Sequence, residues 1–113
     1  MYQHQSIRLD YQEHIRLLCE RYRINVGIIN EPLDSFAHTR SRVIGVPIPN
    51  NALNYAIALH EIGHLVAPMF GSRIDCEIIA WNWAQDNALE WNKDMERIKQ
   101  TGLNSYLKHI HDI

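Results

Sequence analysis

Ala56-Ile57-Ala58-Leu59-His60-Glu61-Ile62-Gly63-His64-Leu65-Val66-Ala67 is an apolar, helix-forming run interrupted by two imidazoles and one carboxylate. Polar groups buried in such a run cost free energy unless each finds a partner, so these three need a reason to be there. A step of four residues along an α-helix turns about 400° and rises about 6 Å, which sends His60 and His64 from one face, one turn apart. Two ring nitrogens so placed can share a metal ion. Glu61 is rotated roughly 100° from His60 and roughly 60° from His64, so its carboxylate can reach beside the ion and take a proton from a bound water. Zinc brings the pKa of such a water towards about 7, and the chemistry implied is hydrolysis at neutral pH. H-E-x-x-H fixes only three positions, and a pair of hydrogen-bonded core histidines is the structural alternative; the Glu between them favours the metal.

Outward from this run, Asn50 or Asn51 can cap the helix, and Pro68 and Gly71 end it after about Ala67. Upstream, Ile7, Tyr11, Ile15, Leu18 and Tyr22 fall at steps of three and four, which predicts a helix from about Ser6 to Arg21 with Ser6 as its cap. Ile24 to Ile29 is β-branched and short, Asn30 to Asp34 reads as a turn, and Ser35–Arg40 and Arg42–Ile48 read as two further strands. Pro47 and Pro49 suit an edge position for the last strand. Downstream, Ser72 and Asp75 form a capping box, with Asp in place of the usual Glu. Ile74, Ile78, Trp81, Ala84, Ala88, Trp91, Met95 and Ile98 then predict one long helix that Gly102 ends, followed by a short one in which Leu103, Tyr106, Leu107 and Ile110 face inward. The fold class is α+β.

The 113 residues make a single domain spanning 1–113, large enough for a core and small for a hydrolase with separate lobes. A formal net charge of −2 supplies no basic field, so direct nucleic-acid binding is not expected; Arg21 with Arg23 and Arg40 with Arg42 read as solvated faces. No stretch approaches the apolar length that spans a bilayer, and Met1 to Ser6 does not begin a secretory leader. A soluble, cytoplasmic protein is expected. Cys19 and Cys76 are too few for a disulfide framework; Cys19 reads as core, Cys76 as an ambiguous neighbour of Glu77.

A catalytic zinc takes three protein ligands and keeps one position open, so one more ligand must be found. Glu77 is the strongest candidate, because it places a carboxylate within the apolar stripe of the second helix, where an unpaired charge would have to neutralise or find a cation. The longer metzincin pattern is excluded, since Ala67 and Phe70 stand where it requires Gly and His. Asp86 and Glu90 read as solvated, and Cys76, His109 and His111 remain alternatives.

Ala58 to Leu65, followed by Glu77-Ile78-Ile79-Ala80-Trp81-Asn82-Trp83-Ala84, resembles the ImmA/IrrE family of zincin-like metallopeptidases. The resemblance covers residues 7 to about 91. It implies His60, His64 and Glu77 as zinc ligands and Glu61 as catalytic base. It also implies a minimal zincin-like fold: N-terminal helix, three-stranded sheet with an edge strand, motif helix, long Glu-bearing helix and short C-terminal helix. The chain departs from the family pattern at Trp81, where Asn is usual, and at Ala88-Leu89-Glu90-Trp91, where Leu-Leu-Met-Pro is common.

The expected activity is zinc-dependent endopeptidase hydrolysis of a protein or peptide substrate lying extended along residues 42–48, with Tyr55, Tyr106, His38 or His109 as candidate oxyanion donors. The resemblance implies regulatory DNA-binding repressors of phages or mobile elements as substrates. The alternative is a zinc-stabilised protein-interaction module in which Glu61 is dispensable.

Overall fold

A computed structural model describes residues 10–111, and side chains as far as Leu107, as helices around one small sheet. The first helix, α1, runs Tyr11–Tyr22. Asp10 caps it by accepting the Glu13 N–H at 3.0 Å. Ser6 and Ile7, expected as cap and first stripe residue, lie outside the described residues. At the other end Arg23 turns left-handed at φ 57°, and the Ile24 N–H returns to Cys19 O at 2.8 Å.

The strands are β1 (Asn25–Ile28), β2 (Phe36–His38) and β3 (Val43–Val46), with a turn of 3-10 helix at Pro32–Asp34. Their order is β1-β3-β2: β3 pairs in parallel with β1, Val26 beside Ile44, and antiparallel with β2, Ala37 beside Ile44. The strand expected at the edge is therefore the central one. Pro47 and Pro49 fall beyond the last ladder residue, Val46, so their missing donors remove nothing from the sheet. Ile44 and Val46 are fully buried against the helices. At Gly45 an added Cβ would stand 2.1 Å from the Phe36 ring, so glycine leaves room for that ring across the β2–β3 pair.

The motif helix, α2, runs Ala52–Val66, and Asn51 caps it through the Asn54 N–H at 2.8 Å. It packs against α1, β2 and β3 and against both following helices. Tyr55, Ala56, Ala58, Leu59 and Ile62 are wholly inaccessible. Its successor, α3 (Arg73–Asn87), opens on the expected capping box, with both Ser72 and Asp75 bonds formed.

The long helix expected beyond this point is two helices. After Asn87 the backbone turns extended at Ala88, and α4 runs Lys93–His111, straight through Gly102. The break is held by two side chains from elsewhere and one of its own: the Leu89 N–H donates to Tyr55 Oη at 2.9 Å, Tyr11 Oη donates to Glu90, and within the break the Asn92 carboxamide accepts the Met95 N–H at 3.0 Å. Gly102 does not end a helix; a Cβ there would lie 3.4 Å from the Trp81 ring. Trp81, Ala84 and Met95 are buried as the stripe predicted, whereas Ile78 and Leu107 are about 40% exposed. Ile110 lies outside the described side chains. Among the described residues no helix is long and apolar enough to cross a membrane.

Candidate metal centre

The contact between α2 and α3 decides the site. Gly63, between the two histidines, meets α3 so closely that an added Cβ would stand 2.7 Å from Ala80 O. Such an approach lets the Glu77 side chain, one turn before Ala80, reach the imidazoles of the neighbouring helix. Glu77 Oε1 lies 2.9 Å from His60 Nε2 and Glu77 Oε2 lies 2.9 Å from His64 Nε2. The two Nε2 atoms are 3.2 Å apart. Among the described residues His60, His64 and Glu77 form the group that can hold a metal ion, each offering one ligand atom with all of them within 4.8 Å of one another.

Trp81 sets the orientation of His60. Its indole lies under the imidazole with centroids 4.2 Å apart and planes 18° apart, while His64 meets the same imidazole edge-on at 4.6 Å. His60 Nδ1 faces Glu61 Oε2 at 3.5 Å, leaving Nε2 for the shared position. Glu61 itself is only 8% exposed.

The charges agree with this geometry. Burial alone would push His60 towards the neutral form, but the carboxylates of Glu61 and Glu77 outweigh it and raise the imidazole to about 9. Burial would likewise raise Glu77, and hydrogen bonds and charge from His60 and His64 instead hold it down at about 2. Two imidazoles facing one ionised carboxylate thus favour a cation between them, whether proton or metal.

Of the other candidates, Cys76 directs Sγ towards Phe70 O at 3.8 Å and is not in the convergent group. Asp86 is exposed, and Glu90 is engaged by Tyr11. His109 and His111 lie outside the described side chains. Tyr55 is in the core, its hydroxyl 2.6 Å from His14 Nδ1 and bonded to Leu89 N–H, far from the role of oxyanion donor. His38 stays on β2 against Phe36. Tyr106 does reach the site, lining a cleft of about 370 Å³ with His64, Cys76 and Glu77.

Sequence reasoning missed the parts played by Ala80 and Trp81. Both lie on the Glu77 side of α3, three and four residues on, so their position was readable even though their contacts were not. Comparisons with family models, with curated proteins and with solved structures find no match.

Proposed function

We propose that the chain is a zinc-dependent endopeptidase, and the observation that carries this reading is the convergence of His60, His64 and Glu77 with Glu61 beside them. Two imidazoles and one carboxylate are a donor set suited to catalytic zinc. Ligands at zinc bond lengths on a tetrahedron stand roughly 3.3–3.5 Å apart. The two Nε2 atoms, 3.2 Å apart, are near such an edge, and Glu77 holds one carboxylate oxygen 2.9 Å from each, so that one atom from each residue lies within 4.8 Å of the others. Zinc held there would act as a Lewis acid on a carbonyl and make a water acidic enough to attack at neutral pH.

Glu61 takes the proton from the attacking water and delivers it to the departing amine. Its 10% side-chain exposure keeps bulk water from competing for that proton. A substrate strand fits β2 better than residues 42–48, because β2 is a sheet edge packed against α2 while β3 is already paired on both sides. Tyr106, lining the cleft beside His64 and Glu77, is the candidate donor to the oxyanion. Resemblance to the ImmA/IrrE family adds DNA-binding repressors as the substrate class.

The test uses two variants. Glu61→Gln is expected to keep zinc at one equivalent and lose cleavage by at least a hundredfold, in line with removal of a general base. Glu77→Ala is expected to lose bound zinc in elemental analysis. Unchanged function in Glu61→Gln together with unfolding of metal-free protein would select the interaction-module reading instead.

A further inference from the structure

The outer side of β1 is an open sheet edge. Its inner side is engaged: the Asn25 N–H donates to Arg42 O at 2.9 Å and the Ile29 N–H to Val46 O at 3.0 Å. Backbone groups alternate in direction along a strand, so Gly27 faces β3 as those two residues do, while the N–H and C=O of Val26 and of Ile28 point away from the sheet. No strand among the described residues takes them. Proteins ordinarily blunt such an edge with a charge, a proline or a bulge. Asn25-Val26-Gly27-Ile28 has none of these, its register against β3 is unbroken, and all of it is exposed.

Beside this edge runs a groove of about 610 Å³, lined by Val26, Ile28 and Ile48 on the sheet side and by Ile15, Glu13 and Arg16 of α1. Val26 and Ile28 stand in register with the buried Ile44 and Val46, on the face that the helices cover, yet they remain 40% and 57% exposed. The helix layer ends before it covers them.

The edge is complementary to itself. When a second copy is related to the first by a twofold axis normal to the sheet at Gly27, the two β1 strands run antiparallel, with Val26 of each opposite Ile28 of the other. Opposed residues of that kind exchange both of their backbone hydrogen bonds, so every outward N–H and C=O of Val26 and Ile28 finds a partner. Gly27 meets its equivalent at the close, non-hydrogen-bonded position, where Cα atoms stand about 4.5 Å apart. The apolar side chains of the two strands meet on the groove face and cover one another. The α1 wall carries both signs of charge, with Arg16 holding Glu13 at 2.7 Å, so it is complementary to its own copy and suits no partner of strong single charge.

We propose that β1 is a self-association edge, through which two copies of this chain pair along Asn25–Ile28 into one continuous sheet with twofold symmetry. The pairing is independent of the hydrolytic reading. In the order β1-β3-β2 it leaves the β2 edge of each copy at the outside of the joint sheet, open to a substrate strand. The strands are short and the interface small, so the dissociation constant is expected at about 1–100 μM.

Sedimentation velocity on the full chain over a concentration series should show monomer giving way to dimer. Ile28→Lys sets like charges beside the axis and should weaken the dimer by about tenfold or more, with the unfolding midpoint near the parent value because Ile28 is already more than half exposed. Disulfide trapping in a Cys76→Ser background reads the register, Cys19 being buried. A side chain at Gly27 has room, its nearest neighbour being Ile44 O at 3.8 Å, and thiols at the two Gly27 positions come within disulfide reach. Thiols at the two Asn25 positions would lie roughly 13 Å apart along the strands. Gly27→Cys is therefore expected to crosslink on mild oxidation and Asn25→Cys to stay monomeric under denaturing conditions. A chain that remains monomeric throughout the series overturns the proposal and leaves the edge to a strand from a different protein; a dimer that Ile28→Lys leaves intact overturns it equally. Crosslinking through Asn25→Cys at or above the level of Gly27→Cys overturns the register.

Discussion

Gly63 shows how a single hydrogen can govern a site. Its Cα sits against the Ala80 carbonyl, and an alanine there would press a methyl to 2.7 Å from a backbone atom that cannot rotate away. Gly63→Ala is expected to force α2 and α3 apart, destabilising the fold by about 1–3 kcal/mol and weakening zinc binding, because Glu77 retreats from both imidazoles. Urea titration and competition with a zinc chelator measure the two effects. Gly102 is the control. It lies within α4, and a Cβ there would meet the Trp81 ring at an ordinary 3.4 Å. Gly102→Ala should therefore stabilise the protein by about 0.5–1 kcal/mol through helix propensity, seen as a higher urea midpoint at unchanged slope. At this scale the grouping of His60, His64 and Glu77 was readable in the sequence, since buried polar residues at helical spacing demand a common partner. Trp81 was not, because a stripe position says that a side chain points inward and nothing about the ring it will meet.

Elements were legible where their signals are local and obscure where they are borrowed. Asn51 and the Ser72–Asp75 box act within a few residues, and α2 and α3 begin where those residues stand. The end of α3 has no glycine or proline to announce it. It depends on Tyr55 from α2, Tyr11 from α1 and Asn92 ahead of α4, so the apolar stripe runs across a break that periodicity does not register. Strand order was hidden for the same reason: prolines report missing donors, and only the parallel β1–β3 pairing shows that those donors were never needed. The Tyr55 network also makes a pH prediction. Burial holds His14 below its ordinary 6.5, so the folded chain keeps a neutral imidazole able to accept from Tyr55 Oη at 2.6 Å. Between the lowered folded value and 6.5 the unfolded chain binds more protons. This contribution is complete above pH 6.5 and fades as pH falls through the folded value. The difference in unfolding free energy between parent and His14→Gln should thus shift against the parent as urea titrations move from pH 7 to lower pH, and a constant difference would exclude the burial of a neutral His14 as its cause.

At the scale of the molecule, α2 is the shared wall: the sheet and α1 cover one part of it, α3 and α4 the rest. Apolar contacts such as Leu59, Ile62, Trp81 and Met95 tie these parts together through its length. The candidate centre adds a polar tie at the α2–α3 contact, and a metal ion there would bind the folded chain and find its ligands dispersed in the unfolded one. Ligand-linked stabilisation then follows mass action, about 4 kcal/mol when free metal is a thousandfold above its dissociation constant. Parent protein titrated with zinc should therefore rise in unfolding temperature by several degrees and return to its starting value when a chelator is added. Glu77→Ala should show little of that rise, because the remaining histidines bridge one helix to no other. Glu61→Gln should show nearly all of it, since the carboxylate it removes meets His60 at Nδ1, 3.5 Å away, and not at the Nε2 that faces His64 and Glu77. A stabilisation lost equally in both variants would mean that Glu61 helps to hold the ion, and its part in proton transfer would have to be given up.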